Sequence, residues 1–400
     1  MSDLLGFTSI LIVSLLTLLI SIHKPSISRI LFVALVIRII FLLFGHYFIA
    51  LPDSTADAET FEEMAWEMSQ QGSFSLLFNF DGPKDQLLSR LIAIPYSLFG
   101  RSLLMAKSFS LFFGICNVYL GWIVAKRIWD SNTAIKVAWI ITLFPSLILY
   151  SVLIMREVYI CFFLLIALNG IVSWFKTNSF ISFIITILGF VGATFFHGAF
   201  IIGAMLFVGI IGFISFKNVF KNLLKFSINP KYFILFLVFL VGLFLYSTNR
   251  IIIPKLGHFE KSTQLKTLLR KTVLSTRGGA SFPEWTKVNS NIELIYKLPV
   301  RAVYFLFAPF PWNVTEPQHL IGMFDSFLYM YLVFLIIQNR QVIWKDPVLR
   351  FILIMLLLYI IVFSVGVGNF GTSTRHRSKL VFMLILLAAP LIKKFVLFKK

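Results

Sequence analysis

Acidic, basic and histidine side chains that fall against long apolar runs are the places to look for chemistry in this sequence. The stretch Pro52-Asp53-Ser54-Thr55-Ala56-Asp57 opens a segment ending near Gly72, in which Asp57, Phe61, Ala65 and Met68 recur at helical spacing. This predicts an amphipathic helix lying on a membrane surface, capped by Asp53 or Ser54, with its early acids matched to the helix dipole. Glu59, Glu62, Glu63 and Glu67 read as its solvated face. Asp57 shares the Phe61 and Ala65 face, which points at the apolar runs. A carboxylate held there has the chemistry of a general base towards a hydroxyl.

A second constellation is Met155-Arg156-Glu157, squeezed between two apolar runs. Charges this close to hydrocarbon are paired or functional. Two readings stand: a self-satisfied pair, or Arg156 facing a phosphate with its planar fork while Glu157 supports an acceptor, a cation or Asp57. His197, at the end of a later run, reads either as an interfacial hydrogen-bonding residue or as a ligand contact. Arg277-Gly278-Gly279 lets backbone amides approach an anion closely. The turn from Gly366 to Arg377 carries Arg375, His376 and Arg377 immediately before another apolar run. Near a helix N-terminus these side chains favour an anion, with a lipid-headgroup anchor as the alternative. No metal-ligand spacing, nucleotide-phosphate loop or nucleophile elbow is found. No cofactor is called for, although a divalent metal beside the acids stays open.

The elements that must position these residues are membrane helices. The 400 residues are 58% hydrophobic, with 46 Phe, and the mean hydropathy is +0.90. Soluble domains run at roughly 45–50% apolar, and a spanning helix needs about 20 apolar residues. Spans are expected near 4–22, 29–50, 103–126, 135–153, 158–175, 180–197, 199–215, 232–248, 322–338, 350–367 and 379–396. The fold class is therefore all-α, a polytopic membrane protein of about eleven transmembrane helices. The runs are continuous rather than alternating, which excludes a transmembrane β-barrel. Shorter stretches at 89–100 and 299–312, and a helix at 256–276, read as interfacial. The first run reads as a span, not a cleaved signal peptide. Residues 1–400 form one membrane-embedded domain, with 51–102 as its first outer loop and 249–321 as a long basic outer segment.

The formal charge of +19 does not imply nucleic acid, because most of the bases sit between spans. Short-loop bases such as Lys24, Arg29, Lys126, Arg127, Lys136 and Lys176 mark one side as cytoplasmic and place the N-terminus outside. Alternation then carries every candidate above to the opposite side. From Arg250 to Arg301 ten bases face three acids, so an anionic partner or anionic membrane lipid is expected there. Cys116 and Cys161 fall inside spans, and no disulfide framework follows.

The pattern Asp57-x3-Phe61-x3-Ala65-x6-Gly72, the following Leu98-Phe99-Gly100-Arg101-Ser102, the run ending Ala125-Lys126-Arg127 and the Pro145-bearing span leading to Arg156-Glu157 together resemble GT-C-type membrane glycosyltransferases over about residues 30–215. The resemblance implies a polyprenyl-phosphate-linked sugar donor, a glycan or lipid acceptor, and a site facing the periplasm of a bacterial inner membrane. It further implies Asp57 as catalytic base and Glu157 as the second acidic position. Phe61 and Glu157 depart from the family, which often has Tyr and Asp there. The C-terminal half is similar to O-antigen and capsule repeat-unit polymerases, which use undecaprenyl-diphosphate-linked glycans and arginines in two outer loops. Arg277, Arg375 and Arg377 fit that pattern. A flippase or transporter of lipid-linked glycans is the reading from another class; it calls for polar sites near the midplane and related halves, whereas Arg38 is the only clear charge deep in a span and no repeat is evident.

Overall fold

The computed structural model describes residues 2–55, 57–72, 86–223, 280–288, 290–314 and 317–392, together with isolated positions between 233 and 248. Among these residues the regular structure is helical, and the architecture is an all-α membrane bundle. Six helices are long and apolar enough to cross a membrane, and four shorter apolar ones join them. Every expected span except 232–248 meets a continuous described stretch. That run is described only at isolated positions, and the expected helix at 256–276 and Arg277 lie outside the described residues.

Helices α1 (Ser2–His23) and α2 (Ser28–Tyr47) form an antiparallel pair at one edge. Leu4, Phe7, Leu11, Leu15, Leu18 and Ile22 recur on α1 every three or four residues, and all are exposed. An apolar stripe of this kind fits contact with lipid tails. Helices α3 (Asp57–Ser69) and α4 (Leu87–Phe99) pack together as a short hairpin. Helix α5 (Leu103–Ile128) packs against α1 and runs through the bundle.

The next expected span, 135–153, is not one helix. Helix α6 (Ser131–Leu143) stops, and a short α7 (Pro145–Tyr150) follows after an extended Phe144. Proline supplies no N–H, so the carbonyl of Ile141 loses its helical partner. The Arg38 guanidinium of α2 donates to that carbonyl and to Thr142 O, at 3.4 and 3.3 Å. Arg38 is buried. The clearest deep charge thus closes a helix break.

An irregular stretch, 151–156, leads into α8 (Glu157–Thr177), which packs along α9 (Phe180–Phe196). The two approach so closely that a Cβ on Gly189 would lie 2.5 Å from Ala167 N. Small residues allow this backbone contact. After a turn comes α10 (Ile201–Leu223).

The expected interfacial stretch at 299–312 begins earlier, as α11 (Asn291–Phe307), capped by Ser290. Helices α12 (Pro317–Gln338), α13 (Arg340–Lys345) and α14 (Pro347–Gly366) follow. Asp346 caps α14 by accepting from the N–H groups of Val348 and Leu349. Asn369 caps α15 (Phe370–Ser378) in the same way. Helix α16 (Val381–Ala388) is buried at every residue, and a 3-10 turn, Ala389–Leu391, follows it. A helix apolar all round belongs in a core, so this stave is the centre of the bundle instead of a lipid-facing span.

Candidate functional site

At the α3 end of the bundle, three segments far apart in sequence deliver charged side chains to one place. Helix α3 begins with Asp57, and the preceding turn holds Asp53 at a positive φ of 61°. Helix α8 begins with Glu157, and α15 supplies Arg375. The Arg375 Nη1 donates to Asp57 Oδ2 at 2.7 Å, and its Nε lies 3.6 Å from Glu157 Oε1. Lys379 Nζ meets the same Glu157 oxygen at 3.1 Å. Tyr150, the last residue of α7, donates its hydroxyl to Asp53 Oδ2 at 2.8 Å.

These groups form a gradient from surface to interior. The Asp57 side chain is 52% exposed and that of Arg375 18%, whereas Glu157 and Lys379 are each 2% exposed. Burial raises the Asp53 carboxyl above its ordinary value. The Tyr150 hydroxyl and the Arg375 charge oppose that shift, and Glu157 and Asp57 add to it. Burial alone would lower the Arg375 guanidinium. The charges of Glu157 and Asp57 outweigh it and hold the group above its ordinary value, so it is always a cation.

His376 stacks on Phe363, with ring centroids 4.7 Å apart, and its ring lies 5.1 Å from that of His197. Its Nδ1 is 3.0 Å from Lys379 Nζ. An ammonium only donates, so an accepting Nδ1 fits this contact. Arg156 lies over the Phe61 ring, 5.0 Å from the centroid, which ties α3 to the start of α8. The sequence candidates Asp53, Asp57, Arg156, Glu157, His197, Arg375 and His376 thus belong to one neighbourhood.

Arg377 does not join them. It is fully buried on the other side of α15, where it donates to the carbonyls of Leu306, Ala308 and Gly322. Asp325 Oδ2 is 3.4 Å away, and the Tyr329 ring lies beneath the guanidinium. Arg377 has no exposed surface and its Nη donors are taken, so its placement is that of a clamp between α11, α12 and α15 rather than a phosphate ligand. One other expectation changes. Glu62, read as solvated, is buried, accepts from Tyr96 and pairs with Arg101 at 2.5 Å. The Asp53 carboxylate, expected as a helix cap, accepts from Tyr150 through Oδ2.

Lys379, Tyr150 and Asp325 were missed in the sequence. Lys379 had a signal: it follows Arg375 by four residues, and positions i and i+4 share a helix face. It was hidden as the first residue of an expected span. Residues 280–282 pair with 368–370 through Phe282 N–Gly368 O and Phe370 N–Ala280 O, at 2.8 and 2.9 Å. Residues 280–282 of the basic segment are thereby tied to the turn that leads into the Arg375 helix.

Among the described residues no group of three His, Cys, Asp or Glu could hold a metal ion. The guanidinium of Arg375 and the ammonium of Lys379 supply the positive charge between the carboxylates. The chain matches no family model, and no curated protein or solved structure is significantly similar to it.

Proposed function

We propose that the protein is a membrane glycosyltransferase that moves a sugar or glycan from a polyprenyl-phosphate or polyprenyl-diphosphate carrier to an acceptor hydroxyl. The reaction takes place on the periplasmic face of a bacterial inner membrane, in the synthesis of a cell-surface polysaccharide or glycolipid. One observation carries this reading: the Asp57–Arg375–Glu157–Lys379 gradient, which places a reachable carboxylate directly against a fixed cation.

The chemistry needs both. Asp57 takes the proton of the acceptor hydroxyl as its oxygen bonds to the anomeric carbon, while the bond from that carbon to the carrier phosphate oxygen breaks. The leaving phosphate keeps the electron pair, and its charge grows. Arg375, held in place by Glu157, meets that growing charge more strongly than it meets the ground state, which accelerates the step. In the resting protein Asp57 occupies one donor of Arg375. A carrier phosphate competes for that donor, and Asp57 released from it is free to act as base. Glu157 and Lys379 neutralise each other beneath, so the arginine is oriented from below and open from above. Attack opposite the phosphate inverts the anomeric centre.

The test is transfer of sugar from a lipid-linked donor in membranes carrying wild type, Asp57→Asn or Arg375→Ala, with a deletion strain analysed for accumulated lipid-linked glycans. Loss of transfer at normal protein levels is the expected result. Normal turnover by Asp57→Asn would remove it as the base.

A further inference from the structure

On another side of α3 lies a cavity of about 430 Å³ that the transfer reaction does not use. The last turn of α2, the residues Ser54 and Thr55, and the α3 residues Ala58, Glu59, Glu62 and Glu63 form its walls, with Arg101 just before α5 and Lys107 within it. Asp53 and Asp57 are not on its walls. They leave the same segment towards Tyr150 and Arg375.

Lys107 is the informative residue. It sits in the second turn of α5 and is 8% exposed, with the cavity as its opening. Among the described residues no hydrogen bond or ion pair reaches its ammonium. Of the three wall carboxylates, Glu62 is taken by Arg101 and Tyr96, and Glu59 and Glu63 form no ion pair with Lys107. His46, another wall residue, is a near electrostatic neighbour of Lys107 and offers it no negative charge. A buried ammonium without a counter-charge is costly, and a site that keeps one is shaped for an anion. Glu59 and Glu63 stand exposed at the rim, where they accept hydrogen bonds from hydroxyl or amine groups.

We propose that this cavity binds an oxyanion, a phosphate or carboxylate carried on a small hydroxyl- or amine-bearing scaffold. The anion sits on Lys107 beside Arg101, and the scaffold faces Glu59 and Glu63. The volume suits one or two sugar rings or a lipid headgroup, within the usual range for small-ligand pockets. The assignment rests on Lys107 and the cavity alone, so it stands or falls separately from the transfer reaction.

The experiment uses the full chain purified in phospholipid-free detergent. Binding of inorganic phosphate, glycerol 3-phosphate and glucuronate is measured by calorimetry, alongside protection of Lys107 from amine acylation read by mass spectrometry. Wild type should bind at least one probe and protect Lys107. Lys107→Met should weaken that probe at least about tenfold, while Lys107→Arg keeps most of the affinity. Glycerol 3-phosphate binding more tightly than glucuronate identifies a lipid headgroup as the source, and the reverse order identifies an acidic sugar. Should Lys107→Met fail to fold, the Lys107→Arg affinity and the acylation protection decide. Absence of binding by wild type, or equal binding by Lys107→Met, overturns the proposal, as does acylation of Lys107 that no probe slows.

Discussion

The two sides of α15 use the same chemical group for opposite ends. Arg375 faces carboxylates, and its side chain stays 18% exposed. Arg377, two residues on and some 200° round the helix, faces carbonyls and is sealed. A guanidinium whose donors end on backbone carbonyls is bound to fixed partners, and it joins helices. One whose partners are a half-exposed aspartate and a buried glutamate can exchange a partner for a ligand. Arg301 repeats the sealed pattern, donating to the carbonyls of Thr286, Ser364, Val365 and Val367. Among the described residues, Arg301 and Arg377 thus close backbone gaps, whereas Arg375 meets carboxylates.

If that division is right, the sealed side governs folding and the carboxylate side governs turnover. Arg377→Ala should have the largest effect, because it removes the counter-charge of buried Asp325 and the donor to the carbonyls of Leu306 and Ala308. A loss of about 3–5 kcal/mol is expected, seen as a collapse of folded yield and melting temperature in detergent. A normal melting curve for this variant would break the comparison. Asp57→Asn should leave melting unchanged and lower transfer by about 10²–10⁴-fold. Arg375→Ala should cost about 10²–10³-fold in turnover, again with normal folding. Were Arg375→Ala to unfold the protein instead, the two sides would not differ.

Tyr150→Phe removes one hydrogen bond to Asp53 and should cost about 1 kcal/mol of stability by thermal unfolding. The smallest effect sharpens the picture through pH. Burial raises the Asp53 carboxyl, so folding favours its protonated form. That contribution is complete in acid, below the unfolded-state value, and is lost as pH rises through the higher folded-state value. Asp53→Asn cannot ionise, so its melting temperature should gain on wild type as pH rises from about 4 to 7. A constant gap across that window would show that the carboxyl is not perturbed.

Much of this was legible in the sequence, for a simple reason. Alternation of apolar runs carries Asp57, Glu157 and Arg375 to the same side before any contact is known. What it cannot show is which way a side chain turns once there. Arg375 and Arg377 look alike in a string, and only helical phase separates them. Glu62 resembled its acidic neighbours until Arg101 and Tyr96 closed on it. Lys379 and Asp325 sit in apolar stretches where a charge reads as an end or an exception, because their partners come from distant helices.

Pro145 has a reach beyond its own turn. By withholding a hydrogen from Ile141 it obliges α2 to lend Arg38, and in doing so it bends the chain before Tyr150 and the start of α8. An alanine at that position would let one rod run on, idle the borrowed guanidinium, and carry Glu157 past the arginine it steadies. The depth at which the acid stands is thus set by a ring that touches no ligand.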